Sequence, residues 1–123
     1  MKLSQILGTA ALIAVASAAL ASEDKPQHGG IVREVRDVSY ELVARPETIA
    51  IYATDHGKPL STTGAMAKVT LLNGAEKTDA TLMPAGDNKL EAKGSFNVRA
   101  GTKLVAVITL AGKPPVTTRY EIK

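Results

Sequence analysis

The sequence contains no cysteine and no tryptophan, and its 123 residues include one phenylalanine and three tyrosines. The absence of cysteine excludes disulfides and thiolate chemistry, so stability must come from packing. The scarcity of aromatic residues removes the stacking platforms on which single-stranded nucleic acids bind. The formal net charge is only +3, and the two signs are interspersed along the chain. We therefore expect no nucleic-acid partner.

The amino terminus has the features of a secretory signal peptide. Lys2 supplies a positive charge, an uncharged apolar stretch covers residues 6–16, and the tripeptide ALA at 19–21 fits the small-x-small cleavage rule. This apolar stretch is shorter than the about 20 residues that a membrane-spanning helix needs. We therefore expect residues 1–21 to be a signal peptide, cleavage after Ala21, a periplasmic protein, and no membrane span after cleavage.

Most of the remaining chain alternates apolar and polar residues with the period of two that is typical of β-strands. The runs VSYELVA at 38–44 and TIAIYATD at 48–55 are separated by Pro46, which predicts a hairpin with its turn at residues 44–47. The stretch STTGAMAKVTLL at 61–72 has a helical alternative, but Gly64 and its β-branched residues favour a strand.

Seven or eight such strands recur about every ten residues, with Gly, Pro, Asn and Asp between them. This spacing predicts one all-β domain, an immunoglobulin-like β-sandwich of mainly antiparallel strands over residues 31–123, after a flexible leader at 22–30. The predicted core consists of apolar positions on these strands: Val38, Tyr40, Leu42, Ile49, Ile51, Val69, Leu71, Leu82, Leu90, Phe96, Val105, Val107, Ile108, Val116 and Tyr120.

Catalytic signatures are missing from the sequence. It has no Gly-x-Ser-x-Gly elbow, no Gly-rich loop ending in Gly-Lys-Ser/Thr and no His-Glu-x-x-His helix, and its only imidazoles are His28 and His56. Acidic residues are scattered at positions typical of a solvated surface, although paired carboxylates remain a catalytic alternative. We predict that the protein is not an enzyme.

Metal binding is a more specific functional hypothesis than catalysis. His28 in HGG and His56 in DHGKP both precede glycine in exposed segments, where an imidazole can keep one nitrogen free for a metal. Glu41 and Asp55 can add oxygen ligands. The sequence therefore predicts a transition-metal site, for Cu or Zn, with His28, His56, Glu41 and Asp55 as its residues.

The alternative interpretation gives these residues structural roles only. DHGKP would be a turn, HGG a bend at the edge of the domain, and Met66 and Met83 core filler rather than soft ligands for Cu(I). Strand geometry supports this structural interpretation. The predicted hairpin places His56 opposite Val35 and leaves His28 about 23 Å farther along a straight strand. The two imidazoles meet in that arrangement only if the chain bends near residues 29–30 or 36–37, or if two chains pair.

Several stretches together resemble a small periplasmic module of heavy-metal efflux systems, carried by some adaptor (membrane-fusion) subunits and also found as free-standing exported proteins. They are HGG at 28–30, YELV at 40–43, IAIYATDHGKPL at 49–60, AKVTLL at 67–72, LMPAGDNKLEAKGSF at 82–96 and GTKLVAVITLAGKP at 101–114. The resemblance implies a β-sandwich with metal contacts at His28, Glu41 and His56. The chain lacks the long helical hairpin and lipoyl-like halves of an adaptor, so it cannot be an adaptor itself.

The functional prediction is therefore a periplasmic metal-binding accessory protein, a Cu or Zn chaperone, buffer or sensor that works with components of a metal efflux system. The alternative is a metal-free interaction module, without chemistry of its own, that binds a protein partner through a strand edge or the loop at 55–64.

Overall fold

A computed structural model describes residues 25–123, so the predicted signal peptide and the first residues of the predicted leader lie outside the described part. Every regular element within that part is a β-strand. The strands are β1 (Ile31–Val35), β2 (Val38–Arg45), β3 (Thr48–Asp55), β4 (Lys58–Pro59), β5 (Met66–Asn73), β6 (Glu76–Pro84), β7 (Lys89–Lys93), β8 (Lys103–Thr109) and β9 (Val116–Glu121). Residues 25–123 contain no helix of the length and apolarity needed to cross a bilayer.

The strands form two antiparallel layers that share one edge. The first sheet has the order β1-β2-β3-β7 with the short β4 on β3, and the second sheet has the order β6-β5-β8-β9. The layers are joined where the end of β6 pairs with β7, through Met83 with Glu91 and Pro84 with Leu90. The all-β sandwich predicted from the sequence is confirmed. It has nine strands rather than seven or eight when the two-residue β4 is included.

The core lies between the two sheets and follows the alternation of the strands. Its largest fully buried apolar side chains are Tyr40, Leu42, Ile49, Ile51, Val69, Leu71, Leu82, Leu90, Leu104 and Ile108. The prediction for β8 was wrong at Val107, which is 41% exposed. In that strand Leu104, Ala106 and Ile108 point inward, so Val105 and Val107 face outward.

The hairpin between β2 and β3 has a tighter turn than the sequence suggested. Arg45 pairs with Thr48, so only Pro46 and Glu47 lie outside the ladder, and the pairing continues to Val38 with Asp55. This register overturns the expected pairing of Val35 with His56. The reason is that the strands extend to the proline itself, whose fixed φ suits the first corner of a tight turn.

A second hairpin, between β1 and β2, reverses the chain where the sequence analysis allowed a bend. Arg36 and Asp37 form its turn with φ angles of 52° and 70°, and Val35 pairs with Val38. Residues 25–30, called here the amino-terminal segment, consequently return along β2 instead of continuing away from it. Together with the bend at residues 27–30, where Gly29 has a φ of 77°, this reversal brings His28 to Glu41 on the first sheet.

Of two other local predictions, one is confirmed and the other extended a strand too far. The stretch with a helical alternative is strand β5, as favoured from its β-branched residues. The strand expected over NKLEAKGSFNV ends at Lys93, because the chain then leaves the first sheet and Phe96 donates its backbone N–H to the carbonyl of Pro46 at 2.7 Å. Phe96 packs against the core from this irregular segment and is partly buried.

On the side opposite the β6–β7 junction, β1 and β9 lie beside each other without forming a ladder; this boundary is called the seam. Side chains bridge it. The Nε of Arg33 donates to the carbonyl of Arg119 at 3.0 Å, and the guanidinium lies 5.8 Å from the centre of the Tyr120 ring. The buried Tyr120 hydroxyl donates to the carbonyl of Tyr40 at 3.2 Å.

Replacing Tyr120 with phenylalanine tests the contribution of that buried hydroxyl. Burial raises the pKa of Tyr120 to about 12, so the hydroxyl remains a donor throughout the stable pH range. We expect Tyr120→Phe to lower the free energy of unfolding by about 1 kcal/mol, measured by urea denaturation. Tyr52→Phe is the matched control, because the Tyr52 hydroxyl has no hydrogen bond within residues 25–123. Equal stability of the two variants would contradict the assigned role.

Candidate functional site

The candidate site lies on the outer face of the first sheet, where β1, β2 and β3 run side by side. Glu41 in β2 faces away from the core because its neighbours Tyr40 and Leu42 point inward. The register places Val32 of β1 and Tyr52 of β3 on either side of it. The amino-terminal segment crosses this face and covers Glu41, whose side chain is only 7% exposed.

The Glu41 carboxylate binds the amino-terminal segment through four hydrogen bonds. The backbone N–H of Gln27 donates to Oε1 at 3.0 Å, and the backbone N–H groups of His28 and Gly30 donate to Oε2 at 2.8 and 2.9 Å. The fourth joins Oε1 to Nδ1 of His28 at 3.0 Å. A carboxylate has about four lone-pair positions, so Glu41 is fully used as an acceptor within the protein.

These contacts determine the charge state of Glu41. Burial acts to raise its pKa, but the hydrogen bonds from the His28 side chain and from the backbone of Gln27, Gly30 and His28 outweigh it, and the pKa lies below its ordinary value. Hydrogen bonds that favour the ionised form have this effect. Glu41 is therefore an anion at neutral pH.

The imidazole of His28 is fixed from two directions. Nδ1 is bonded to Glu41, and the ring stacks on Tyr52 with a centroid separation of 3.6 Å and an interplanar angle of 5°. The ammonium group of Lys89 lies 5.8 Å from the same Tyr52 ring. No partner for Nε2 of His28 occurs in the described part of the chain. The bond at Nδ1 favours the tautomer that leaves Nε2 as the free acceptor.

Two cavities border this histidine. One holds about 30 Å³ between His28, Glu41 and Gly57, which is room for about one water molecule. The other has a volume of about 310 Å³ and is lined on its far side by Arg45 and Lys89. The His28 side chain is 37% exposed, so a small ligand can reach it from solvent.

His56 lies in the turn between β3 and β4 and has a carboxylate partner of its own. It adopts a φ of 54° before Gly57, whose φ is 82°. Its Nδ1 is 2.5 Å from Oδ1 of Asp55. The hydrogen bond and the charge of Asp55 raise the pKa of His56, with smaller contributions from Asp37 and Glu34. The His56 side chain is 76% exposed.

The four residues predicted to form a metal site are thus arranged as two pairs, His28 with Glu41 and His56 with Asp55. Tyr52, the stacking partner of His28, precedes Asp55 by three residues on β3, or about 10 Å at ~3.3 Å per residue. Among residues 25–123 no group of three or more histidine, aspartate or glutamate side chains is close enough to enclose a metal ion.

Sequence reasoning missed two contributors to the site. Tyr52 stacks on His28, and the correct register between β2 and β3 would have placed it opposite Glu41. Gly30 allows the amino-terminal segment to approach β2, because a Cβ built on it would lie 2.1 Å from the carbonyl oxygen of Leu42. The signal for Gly30 was present in the HGG motif, but it was interpreted only as a bend.

Comparison with known proteins gives little further information. No family model matches the chain, and no curated protein matches it. A solved structure entitled "Crystal structure of Br derivative BhCBM56", a carbohydrate-binding module, is similar over 75% of this chain and 99% of its own, with 17% identity and a TM-score of 0.44. At that level the likeness assigns neither ligand nor activity to this protein.

Proposed function

We propose that this protein is a periplasmic accessory protein that binds a transition-metal ion, Cu or Zn, reversibly through imidazole nitrogens and has no catalytic activity. One observation carries the proposal: Nδ1 of both histidines is bonded to a carboxylate, which leaves Nε2 for a ligand. Metal-binding histidines commonly have this arrangement, since the carboxylate fixes the ring and increases its basicity.

The geometry changes the roles expected for the two carboxylates. Glu41 uses its acceptor positions on the amino-terminal segment and His28, so it orients the imidazole rather than binding the ion. Asp55 orients His56 through its Oδ1 alone. His28 and His56 are then the ligands of two separate sites, each with one imidazole from this chain.

A site with one protein imidazole suits a metal ion that is exchanged with a partner better than one that is stored. Closed zinc sites use four protein ligands, and here water or a second protein would complete the coordination. Such binding suits a protein that receives and hands over an ion. The link with efflux components and with the periplasm depends on the sequence resemblance and the predicted signal peptide.

Calorimetric titration with Zn(II), Cu(II) and Cu(I) tests this function. We expect binding that decreases in His28→Ala and in His56→Ala and is abolished in the double variant. Gln27→Ala is the matched control, since it keeps the backbone N–H that Glu41 accepts. Nitrogen NMR of the imidazoles should locate the ion on Nε2. Unchanged heats in the double variant, or no binding tighter than about 1 mM, would overturn the proposal.

The pH dependence of the same titration tests ligation by His56. A metal ion binds the neutral imidazole, so protons compete with it. Because Asp55 raises the pKa of His56, this histidine stays protonated to a higher pH than an ordinary one, and its metal affinity should rise as the pH passes through that raised value. In the His28→Ala variant, an affinity independent of pH between about 6 and 8 would contradict ligation by His56.

A metal-free interaction module is the second candidate. It is favoured by exposed basic residues along the seam between β1 and β9, Arg33, Lys103 and Arg119 among them. β1 lies between this seam and β2, the strand that carries Glu41. Binding of a partner there would need neither histidine.

A further inference from the structure

Three cavities follow one another along the seam. The first is bordered by Ile31 and Ile122, the second by Arg33 and Arg119, and the third by Val35 and Val116, so the two strands run in opposite directions past each other. Their volumes are about 270, 380 and 170 Å³. The seam is therefore marked by a row of surface cavities along β1, called here the groove, which the Arg33 side chain bridges near its middle.

The charges along this groove are almost all of one sign. Seven exposed basic residues line it, against the single acidic residue Glu121; they are Arg33, Arg36, Arg45, Lys103, Lys113, Arg119 and Lys123. None of these seven residues takes part in an ion pair described within residues 25–123. Seven cations against the one carboxylate of Glu121, which lies opposite Lys103, leave the groove with a net positive charge that favours an anionic partner.

Backbone groups along the groove are also available. Each of β1 and β9 pairs on one side only, with β2 and with β8 respectively. The carbonyl of Arg119 also points across the seam, but the Arg33 side chain occupies it, so a partner strand would have to displace Arg33 at that position. An edge strand of this kind can pair with an extended chain from another protein.

Arg33 restricts which chains can pair there. It lies opposite Tyr40, on the side of β1 that faces the core, yet it is exposed because its side chain lies across the seam. Inward-pointing charges on edge strands discourage pairing with other strands. A neutral or basic strand would leave this cation unpaired, whereas an acidic strand would neutralise it.

We propose that the groove formed by the seven basic residues binds an extended acidic segment of a partner protein, which pairs with the free edge of β1 or β9. A peptide is favoured over a nucleic acid because the groove offers strand edges and lacks exposed aromatic platforms for bases. This inference rests on the groove alone and holds whether or not His28 and His56 bind metal.

The test uses a fluorescent peptide in which glutamate alternates with valine, titrated with the protein in the presence of a metal chelator. Lys103→Gln/Arg119→Gln removes two groove cations, and Lys58→Gln/Lys77→Gln removes two exposed cations outside it. We expect peptide affinity to fall about fivefold in the groove variant, because exposed ion pairs each contribute little, and to be unchanged in the control. Circular dichroism checks that both variants fold.

Two further peptides define the mode of binding. A glutamine–valine peptide of the same length should bind more weakly, and a glutamate–valine peptide methylated on alternate backbone nitrogens should also bind more weakly, since it cannot complete a strand ladder. Amide chemical shifts should change in β1 or β9. The proposal is overturned by absence of peptide binding at low salt, by equal loss in both protein variants, by indifference to N-methylation, or by a single-stranded nucleic acid that binds the groove equally well.

Discussion

Replacing Gly30 with alanine is expected to lower the free energy of unfolding by about 3 kcal/mol, among the largest effects of any substitution in the amino-terminal segment. The new Cβ would lie 2.1 Å from the carbonyl oxygen of Leu42 and 2.9 Å from its carbonyl carbon. Both atoms belong to the backbone of β2 and cannot rotate away. The segment would have to move off β2, and the hydrogen bond from Gly30 to Glu41 would be lost with it.

Gly29→Ala is the control for this prediction, because the neighbouring glycine is needed for a different reason. Gly29 has a φ of 77°, and a Cβ added to it would meet no atom within 4 Å beyond its chain neighbours, so alanine there meets backbone strain without a clash. The expected cost is about 1 kcal/mol. Urea denaturation followed by circular dichroism gives both values. Equal losses at the two positions would show that close approach to Leu42 is not what requires glycine.

Replacing Glu41 with glutamine should destabilise the protein by about 2 kcal/mol at neutral pH. The substitution keeps the size of the side chain but removes its charge and exchanges one acceptor oxygen for an NH₂ group. That group would face donors that Glu41 now accepts from Gln27, His28 and Gly30. The expected consequence is release of the amino-terminal segment, visible as loss of the His28 stacking on Tyr52.

The difference in the free energy of unfolding between wild type and Glu41→Gln should also depend on pH. The folded protein holds the pKa of Glu41 below its ordinary value of 4.5, so its stabilising contribution is fully present above about pH 4.5 and disappears as the pH falls through the lower folded value. Wild type and Glu41→Gln should therefore differ most near neutrality and converge in acid. Glu47→Gln, at an exposed position in the β2–β3 turn, should follow the wild-type curve. A constant difference between wild type and Glu41→Gln would contradict the assignment.

The strands of this protein could be predicted because their side chains alternate strongly. VSYELVA and TIAIYATD became β2 and β3, and the β-branched residues near Val69 correctly outweighed the helical alternative in β5. The failure at Val107 has a simple cause. β8 contains apolar residues on both faces, so periodicity alone does not reveal which set is buried.

The β1–β2 hairpin could not be predicted from its turn. Tight turns with positive φ at both central residues usually contain Asn or Gly, whereas here Arg36 and Asp37 adopt those angles. Without this reversal, His28 was expected far from the rest of the candidate site. The structure instead places it against Glu41, which the sequence analysis had grouped with His28 as a candidate metal ligand.

The basic groove could also not be predicted from the sequence. Its cations are scattered from Arg33 to Lys123 among acidic residues, so the charge looks mixed along the chain. They come together because β1 and β9, the first and last strands, lie beside each other. Such a concentration of charge depends on tertiary structure and has no local signature.

The manner in which the two sheets are joined has a consequence for how the protein opens. On one side β6 and β7 are linked by backbone pairing, but on the seam side Arg33 and Tyr120 provide only side-chain bonds. Local unfolding starts where few backbone hydrogen bonds must break. Amides of β1 and the amino-terminal segment would therefore exchange with solvent as one cooperative unit, while β5 and β8 at the centre of the second sheet stay protected until the whole domain unfolds.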